Sequence, residues 1–307
     1  MRLKSKNLLG LEHISPEEIE LILDTSVAMK EIMSRNIKKV PTLRGKSIAC
    51  VFYEPSTRTR TSFELAAKYL SADNVSIAST TSSAEKGESI IDTGKTIEAM
   101  GIDLVVVRHG ASGAPHILAQ EIKAPVINAG DGMHEHPTQA LLDIFTIKEK
   151  KKCIEGLTVT IVGDILHSRV ARSNILGLKK LGASVKVYGP ATLIPPKIED
   201  LGASVYQSFE QAIDDTDVLI VLRIQKERQK IGLFPSLKEY AKRYGINKRV
   251  LENANKDLLI LHPGPVNRGI EMTQDVLESD SVVIHEQVTN GVAVRMALMY
   301  LLLQGGM

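Results

Sequence analysis

The stretch FYEPSTRTRTSFE (52–64) concentrates groups that hold an anion. An apolar run ends in front of it, Pro55 breaks the strand, and Ser56 falls at the N-cap of the helix that follows. Arg58 and Arg60 then lie in the first turn, the wrong end of the macrodipole for cations. There they cost up to about 1 kcal/mol unless an anion offsets them. The hydroxyls of Ser56, Thr57 and Thr59, with the open backbone N–H groups, are the donors a phosphate requires. The Walker A pattern GxxxxGK[ST] is missing. On the residues alone, a capped helix whose arginines reach surface carboxylates stays open beside the phosphate reading.

Other candidate groups recur after apolar runs. VVVRH (105–109) carries Arg108, and HPTQ (136–139) follows PVINA with Pro137 suited to the first helical position. A neutral imidazole N–H beside a carbonyl oxygen stabilises developing negative charge, which His136 could do with Arg108 adding a positive charge. A structural histidine is the plain alternative. GDILHSRVARSN (163–174) joins a strand to a helix through glycine, but the second and third glycines of GxGxxG are missing. NAD or FAD is therefore not expected. In RIQKERQ (223–229), Arg223 suits bidentate capture of a carboxylate, whereas Lys226, Arg228 and Lys230 read equally as a solvated face. HPGP (262–265) fixes its backbone with two prolines and leaves carbonyl oxygens to accept from an –NH₂ group. The loop STTSSAEKGESIIDT (79–93) reads by composition as solvated surface.

The elements that must position these groups follow from periodicity. Apolar runs at 47–53, 104–109, 125–129, 158–163, 184–189, 217–222 and 257–262 predict strands, mostly apolar throughout, as parallel strands covered on both faces are. Helical spacing separates them, for example Phe63, Ala66, Ala67 and Leu70, or Thr138, Leu141, Leu142 and Phe145. The alternation predicts an α/β fold of two similar-sized domains, each a parallel sheet covered by helices. The basic segment 147–156 marks the boundary, giving domains 1–148 and 149–287. The apolar helix 288–307 is expected to cross back to the first domain. Ser56, Arg108, His136, Arg169, Arg223 and His262 each lie at or just after a predicted strand's C-terminal end, where open α/β sheets bind ligands. They are expected to converge on a cleft between the domains.

PSTRTR…SFE resembles the carbamoyl-phosphate signature of the aspartate and ornithine carbamoyltransferases, and the similarity runs from about residue 8 to residue 303. The resemblance implies that Ser56, Thr57, Arg58, Thr59, Arg108, His136, Gln139, Gly264 and Pro265 bind carbamoyl phosphate, with Thr59, Arg108 and His136 catalytic. It assigns Lys86, Arg169, Arg223 and Gln225 to aspartate, gives Asp164 a supporting role, and makes Ser82 and Lys86 gifts from a neighbouring subunit of a homotrimer. No cofactor and no metal are implied. Gly264 stands where many members have leucine, and a cis Gly264–Pro265 bond is expected by resemblance. A regulatory chain or a dihydroorotase stays open as a partner.

Ornithine enzymes carry HCLP where this chain has HPGP, and an SMG loop that is missing here. Ornithine also brings a δ-ammonium, a poor guest for Arg223, Lys226 and Arg228. Aspartate is the expected acceptor. The alternatives are ornithine or another amino acid, and a non-catalytic metabolite binder, which should have lost an oxyanion or phosphate donor. Every such donor is present. Of 307 residues, 38 are Lys or Arg and 36 Asp or Glu, so charge makes no case for nucleic acid or a membrane surface. Two cysteines, Cys50 and Cys153, cannot frame a disulfide scaffold, and both are expected in apolar or helical settings. With no leader pattern and Arg295 interrupting the longest apolar run, a soluble cytoplasmic protein is expected.

Overall fold

A computed structural model describes residues 3–78, 89–225, 236–252 and 254–304. The chain divides into two compact units, Met1–Phe145 with Val288–Met307, and Thr146–Gln287. Each holds a wholly parallel sheet flanked by helices, the expected class, and residues 288–307 cluster with the first unit as anticipated.

In the first unit the chain runs through α1 (Pro16–Ser34), β1 (Ser47–Phe52), α2 (Thr57–Tyr69), β2 (Asp73–Ala78), α3 (Ile90–Ala99), β3 (Leu104–His109), α4 (Ala114–Glu121) and β4 (Val126–Asp131). α5 (Pro137–Lys151) follows. The sheet order is β2-β1-β3-β4. Ala49, Val51, Val105, Val107 and Val126 pack on Ile97 of α3 and Leu118 of α4. The alternate residues Ile48, Cys50, Val106 and Ile127 are buried too, and α2 lies against β1 and β2. Both faces are covered, which explains the unbroken apolar runs. A capping box starts α1, with Ser15 accepting from the Glu18 N–H and Glu18 accepting from the Ser15 N–H.

The second unit runs through β5 (Thr158–Val162), α6 (Arg169–Lys180), β6 (Ser184–Tyr188), β7 (Ala203–Val205), α7 (Phe209–Ile213), β8 (Val218–Val221), α8 (Leu237–Tyr244), α9 (Lys248–Leu251), β9 (Leu259–Leu261) and α10 (Gln274–Leu277). α11 (Ile284–Gln304) ends the chain's described helices. Its sheet order is β7-β6-β5-β8-β9, and Val162, Leu219, Val221 and Ile260 share a core with Phe209, Ile213 and Val276.

Three expectations need correction. β2 and β7 were not anticipated: both are edge strands, and edge strands escape the two-sided burial that writes a continuous apolar run. β4 continues to Asp131, into residues expected as loop. Cys153 is exposed beyond the end of α5, whereas Cys50 is buried, which pushes its thiol up to about 12. No helix among the described residues is long and apolar enough to cross a membrane.

Candidate active site

β1 and β3 are neighbours whose onward connections diverge, β1 to β2 on one side and β3 to β4 on the other. Such a reversal opens the loops at the carboxyl ends of the strands, where parallel sheets bind ligands. Ser56, Arg108 and His136 all stand at this edge of the first unit. Ser56 occupies the N-cap of α2, but its hydroxyl makes no capping hydrogen bond. Thr57 and Arg58 are exposed in the first turn beside it. Arg60 takes the plainer course and pairs with Glu64 one turn on, at 3.6 Å.

Arg108 sits where the β3–β4 register shifts between Val107 and His109. Such an irregularity re-aims a side chain at a strand end. Its Nε lies 3.3 Å from Glu54 Oε2, and its Nη1 donates to the Ala129 carbonyl at 3.3 Å. Glu54, in the loop before α2, was not singled out from the sequence although it belongs to the EPSTRTR stretch. His136 is buried, and its carbonyl accepts from Gln139 and Ala140, the first backbone bonds of α5. Pro137 therefore takes the first helical position, as expected. The Gln139 amide nitrogen donates within its own helix, to Asp143 at 2.9 Å.

Arg295 of α11 ties this frame from behind. Its guanidinium donates to Ser62 of α2, to the Gly291 carbonyl and to Thr138 of α5, and lies 4.9 Å over the Phe63 ring. Burial lowers its pKa to about 10 while the Asp143 charge acts in the opposite direction. In sequence Arg295 signalled only an interrupted apolar run.

The second unit repeats the arrangement. β5 and β8 are neighbours whose connections diverge, and Arg169 and Arg223 follow their carboxyl ends. Ser168 caps α6 by accepting from the Ala171 N–H, and Arg169 is buried as the first residue of that helix. Asp164 is buried and accepts from the His167 backbone N–H, and the His167 ring Nδ1 lies 2.9 Å from the same carboxylate. Arg223 and Gln225 are half-buried in the segment after β8.

Glu271 organises this edge. Its Oε1 accepts from the Ile224 N–H at 2.7 Å, inside the Arg223–Gln225 segment, and its Oε2 receives His262 Nε2 at 2.9 Å. The Gly264 N–H donates to His262 Nδ1 at 2.8 Å, so the proton of His262 resides on Nε2 and points at the carboxylate. One buried carboxylate thus fixes both the segment of Arg223 and the HPGP turn. Burial acts to raise the Glu271 pKa, yet the hydrogen bonds from His262, Ile224 and Asn267 outweigh it and hold the carboxyl below its ordinary 4.5. No motif announces Glu271; its role comes from contacts nine and 47 residues away in sequence. The Gly264–Pro265 bond is cis, and Gly264 has φ of 63°, a left-handed backbone in which leucine is strained. Ser82, Lys86, Lys226, Arg228 and Lys230 lie outside the described residues.

Parallel sheets that gather arginines, histidines and hydroxyls at their switch points define a class of ligand-binding α/β enzymes. Family comparison makes the class specific. Residues 6–149 match the aspartate/ornithine carbamoyltransferase carbamoyl-P binding domain, and residues 155–302 match that family's Asp/Orn binding domain. The chain belongs to the aspartate/ornithine carbamoyltransferase family. It is 64% identical over 305 residues to the aspartate carbamoyltransferase catalytic subunit of Moorella thermoacetica, covering 99% of each chain. It is 61% identical over 305 residues to the same subunit of Heliobacterium modesticaldum, covering 99% of this chain and 98% of the relative. The aspartate transcarbamoylase of Trypanosoma cruzi, solved with carbamoyl phosphate and aspartate, superposes with a TM-score of 0.87 at 27% identity, covering 97% of each chain.

Proposed function

We propose that the chain transfers the carbamoyl group of carbamoyl phosphate to the α-amine of L-aspartate, giving N-carbamoyl-L-aspartate and phosphate. The observation that carries the reading is the carboxyl edge of the first sheet, where an N-cap hydroxyl with no capping bond, Arg58, Arg108 and His136 stand together. Carbamoyl phosphate binds first, its phosphate at Ser56, Thr57, Arg58 and Thr59. Its carbonyl oxygen faces Thr59, Arg108 and His136, and its –NH₂ group is taken by Gln139 and the backbone of Gly264 and Pro265. Aspartate follows, with its α-carboxylate on Arg169 and its side-chain carboxylate on Arg223 and Gln225. Ser82 and Lys86 of an adjacent subunit complete the set.

The neutral amine attacks the carbamoyl carbon and forms a tetrahedral intermediate. Its oxyanion is stabilised by Thr59, Arg108 and His136, groups held in place before the reaction begins. The C–O bond to phosphate then breaks, and the leaving phosphate takes the amine's proton. Positioning and electrostatics supply the rate, and no covalent enzyme intermediate is required. The same proposal makes residues 1–148 with 288–307 the carbamoyl-phosphate domain and 149–287 the aspartate domain, in a cytoplasmic homotrimer serving an early step of pyrimidine synthesis. Steady-state carbamoyl transfer measured with aspartate and ornithine in parallel tests it. Turnover with aspartate and none with ornithine is expected; the reverse preference, or no transfer to either, would overturn it.

A further inference from the structure

Asp131, the last residue of β4, faces two histidines that the reaction does not use. His134 Nδ1 lies 3.1 Å from Asp131 Oδ2, and His116 stands in the first turn of α4. A donor atom from each of the three residues lies within 4.8 Å of the others. Zinc bonds of about 2.0–2.2 Å place tetrahedral ligand atoms about 3.3 Å apart, so small side-chain rotations close the set around one ion. The imidazoles of His116 and His134 meet edge to face, with centroids 5.4 Å apart, rather than stacking.

Two features distinguish this cluster from a hydrogen-bonded His–Asp pair. His116 Nδ1 is buried and makes no hydrogen bond, an unmet need that a bound ion would satisfy. The carboxylate is also oriented as second-shell groups orient a metal ligand. Oδ1 accepts from Asn128 Nδ2 and the Glu135 N–H, and Oδ2 accepts from the Gly113 N–H at 2.7 Å, which turns Oδ2 to His134 Nδ1 at 3.1 Å. Gly132, at φ of 46°, lets the loop close on the segment just before α4, because a Cβ there would lie 2.7 Å from the Ser112 nitrogen.

We propose that His116, Asp131 and His134 form a binding site for a divalent transition metal of the zinc class, which clamps the 132–135 loop leading to His136 onto the start of α4. Two neutral imidazoles and one carboxylate suit zinc, cobalt or nickel and disfavour magnesium, which prefers all-oxygen octahedra. The ion is structural: the reaction proposed above does not pass through it, and the inference stands whichever acceptor the enzyme uses.

The test uses the full chain, stripped with chelator and dialysed. Titration with Co²⁺ should give tetrahedral-type visible absorption at one ion per chain, and calorimetry with Zn²⁺ the same stoichiometry, with no heat from Mg²⁺. Zn²⁺ should raise the melting temperature. His116→Ala and His134→Ala should each weaken Zn²⁺ binding by more than about 100-fold, beyond what loss of a supporting partner costs. His13→Ala, at an exposed histidine, should leave binding unchanged. If either site variant misfolds by circular dichroism, His116→Gln or His134→Asn replaces it. No saturable binding by the wild-type chain, or binding that survives in both site variants, would overturn the proposal.

Discussion

A guanidinium in the first turn of a helix is disfavoured unless an anion offsets it, and on the proposed reading the anion at Arg58 is the phosphate of the first substrate. Arg58→Ala should abolish phosphate-dependent binding, since removing one partner of a desolvated charge pair commonly costs about 2–5 kcal/mol. Calorimetry with carbamoyl phosphate should then show little or no heat, and wild-type affinity would remove Arg58 from the site. Arg223 is proposed to bind the second substrate. Arg223→Ala should raise the aspartate KM and lower kcat while leaving carbamoyl-phosphate affinity nearly intact. Equal loss of both affinities would mean that the segment is structural. Glu271 works through pH. Its folded-state pKa lies below 4.5, so its stabilising contribution is complete above that value and is lost as pH falls through the folded pKa. Glu271→Gln should therefore lower stability at neutral pH and flatten the acid limb of the stability curve, as read by urea unfolding from pH 3 to 7. An unchanged limb would show that Glu271 does not titrate with folding.

At the scale of elements, two helices owe their placement to a third. Arg295 of α11 bonds Ser62 of α2 and Thr138 of α5, the helices that carry Arg58 and follow His136. A buried guanidinium contributes little net stability, but deleting it strands its partners and the nearby Asp143 charge. Arg295→Met should cost about 3–5 kcal/mol, and adding Asp143→Asn should recover part of it, with a coupling of about 1–3 kcal/mol. Urea denaturation of the two single variants and the double variant measures this. Additivity within about 0.5 kcal/mol would show that the two charges do not interact.

At the scale of the whole molecule, the proposed sharing of Ser82 and Lys86 makes activity a property of an assembly. In a cyclic trimer, Arg58→Ala and Lys86→Ala chains should each be nearly inactive alone. A mixed trimer of two chains of one kind and one of the other regenerates one intact site. Activity should return to about one-third of normal per mixed trimer, or about one-quarter after random equal mixing. Unfolding the two variants together, refolding and assaying gives the answer. No recovery, with trimers confirmed by ultracentrifugation and mixing confirmed by a tag, would show that Lys86 serves its own chain or no site.

The sequence by itself determined the parallel α/β class, the central strands and the family. Strands buried on both faces are mostly apolar, and the segments that resemble the family's signatures are contiguous runs such as PSTRTR and HPTQ. What only the tertiary structure decided is whatever joins distant positions or lies at a sheet edge. β2 and β7 are half-solvated and leave no apolar run. Glu54 beside Arg108, Glu271 between Ile224 and His262, and His116 beside Asp131 and His134 became visible only as contacts. A carboxylate or imidazole has no period of its own, and its role is set by the partners that folding brings within a few ångströms.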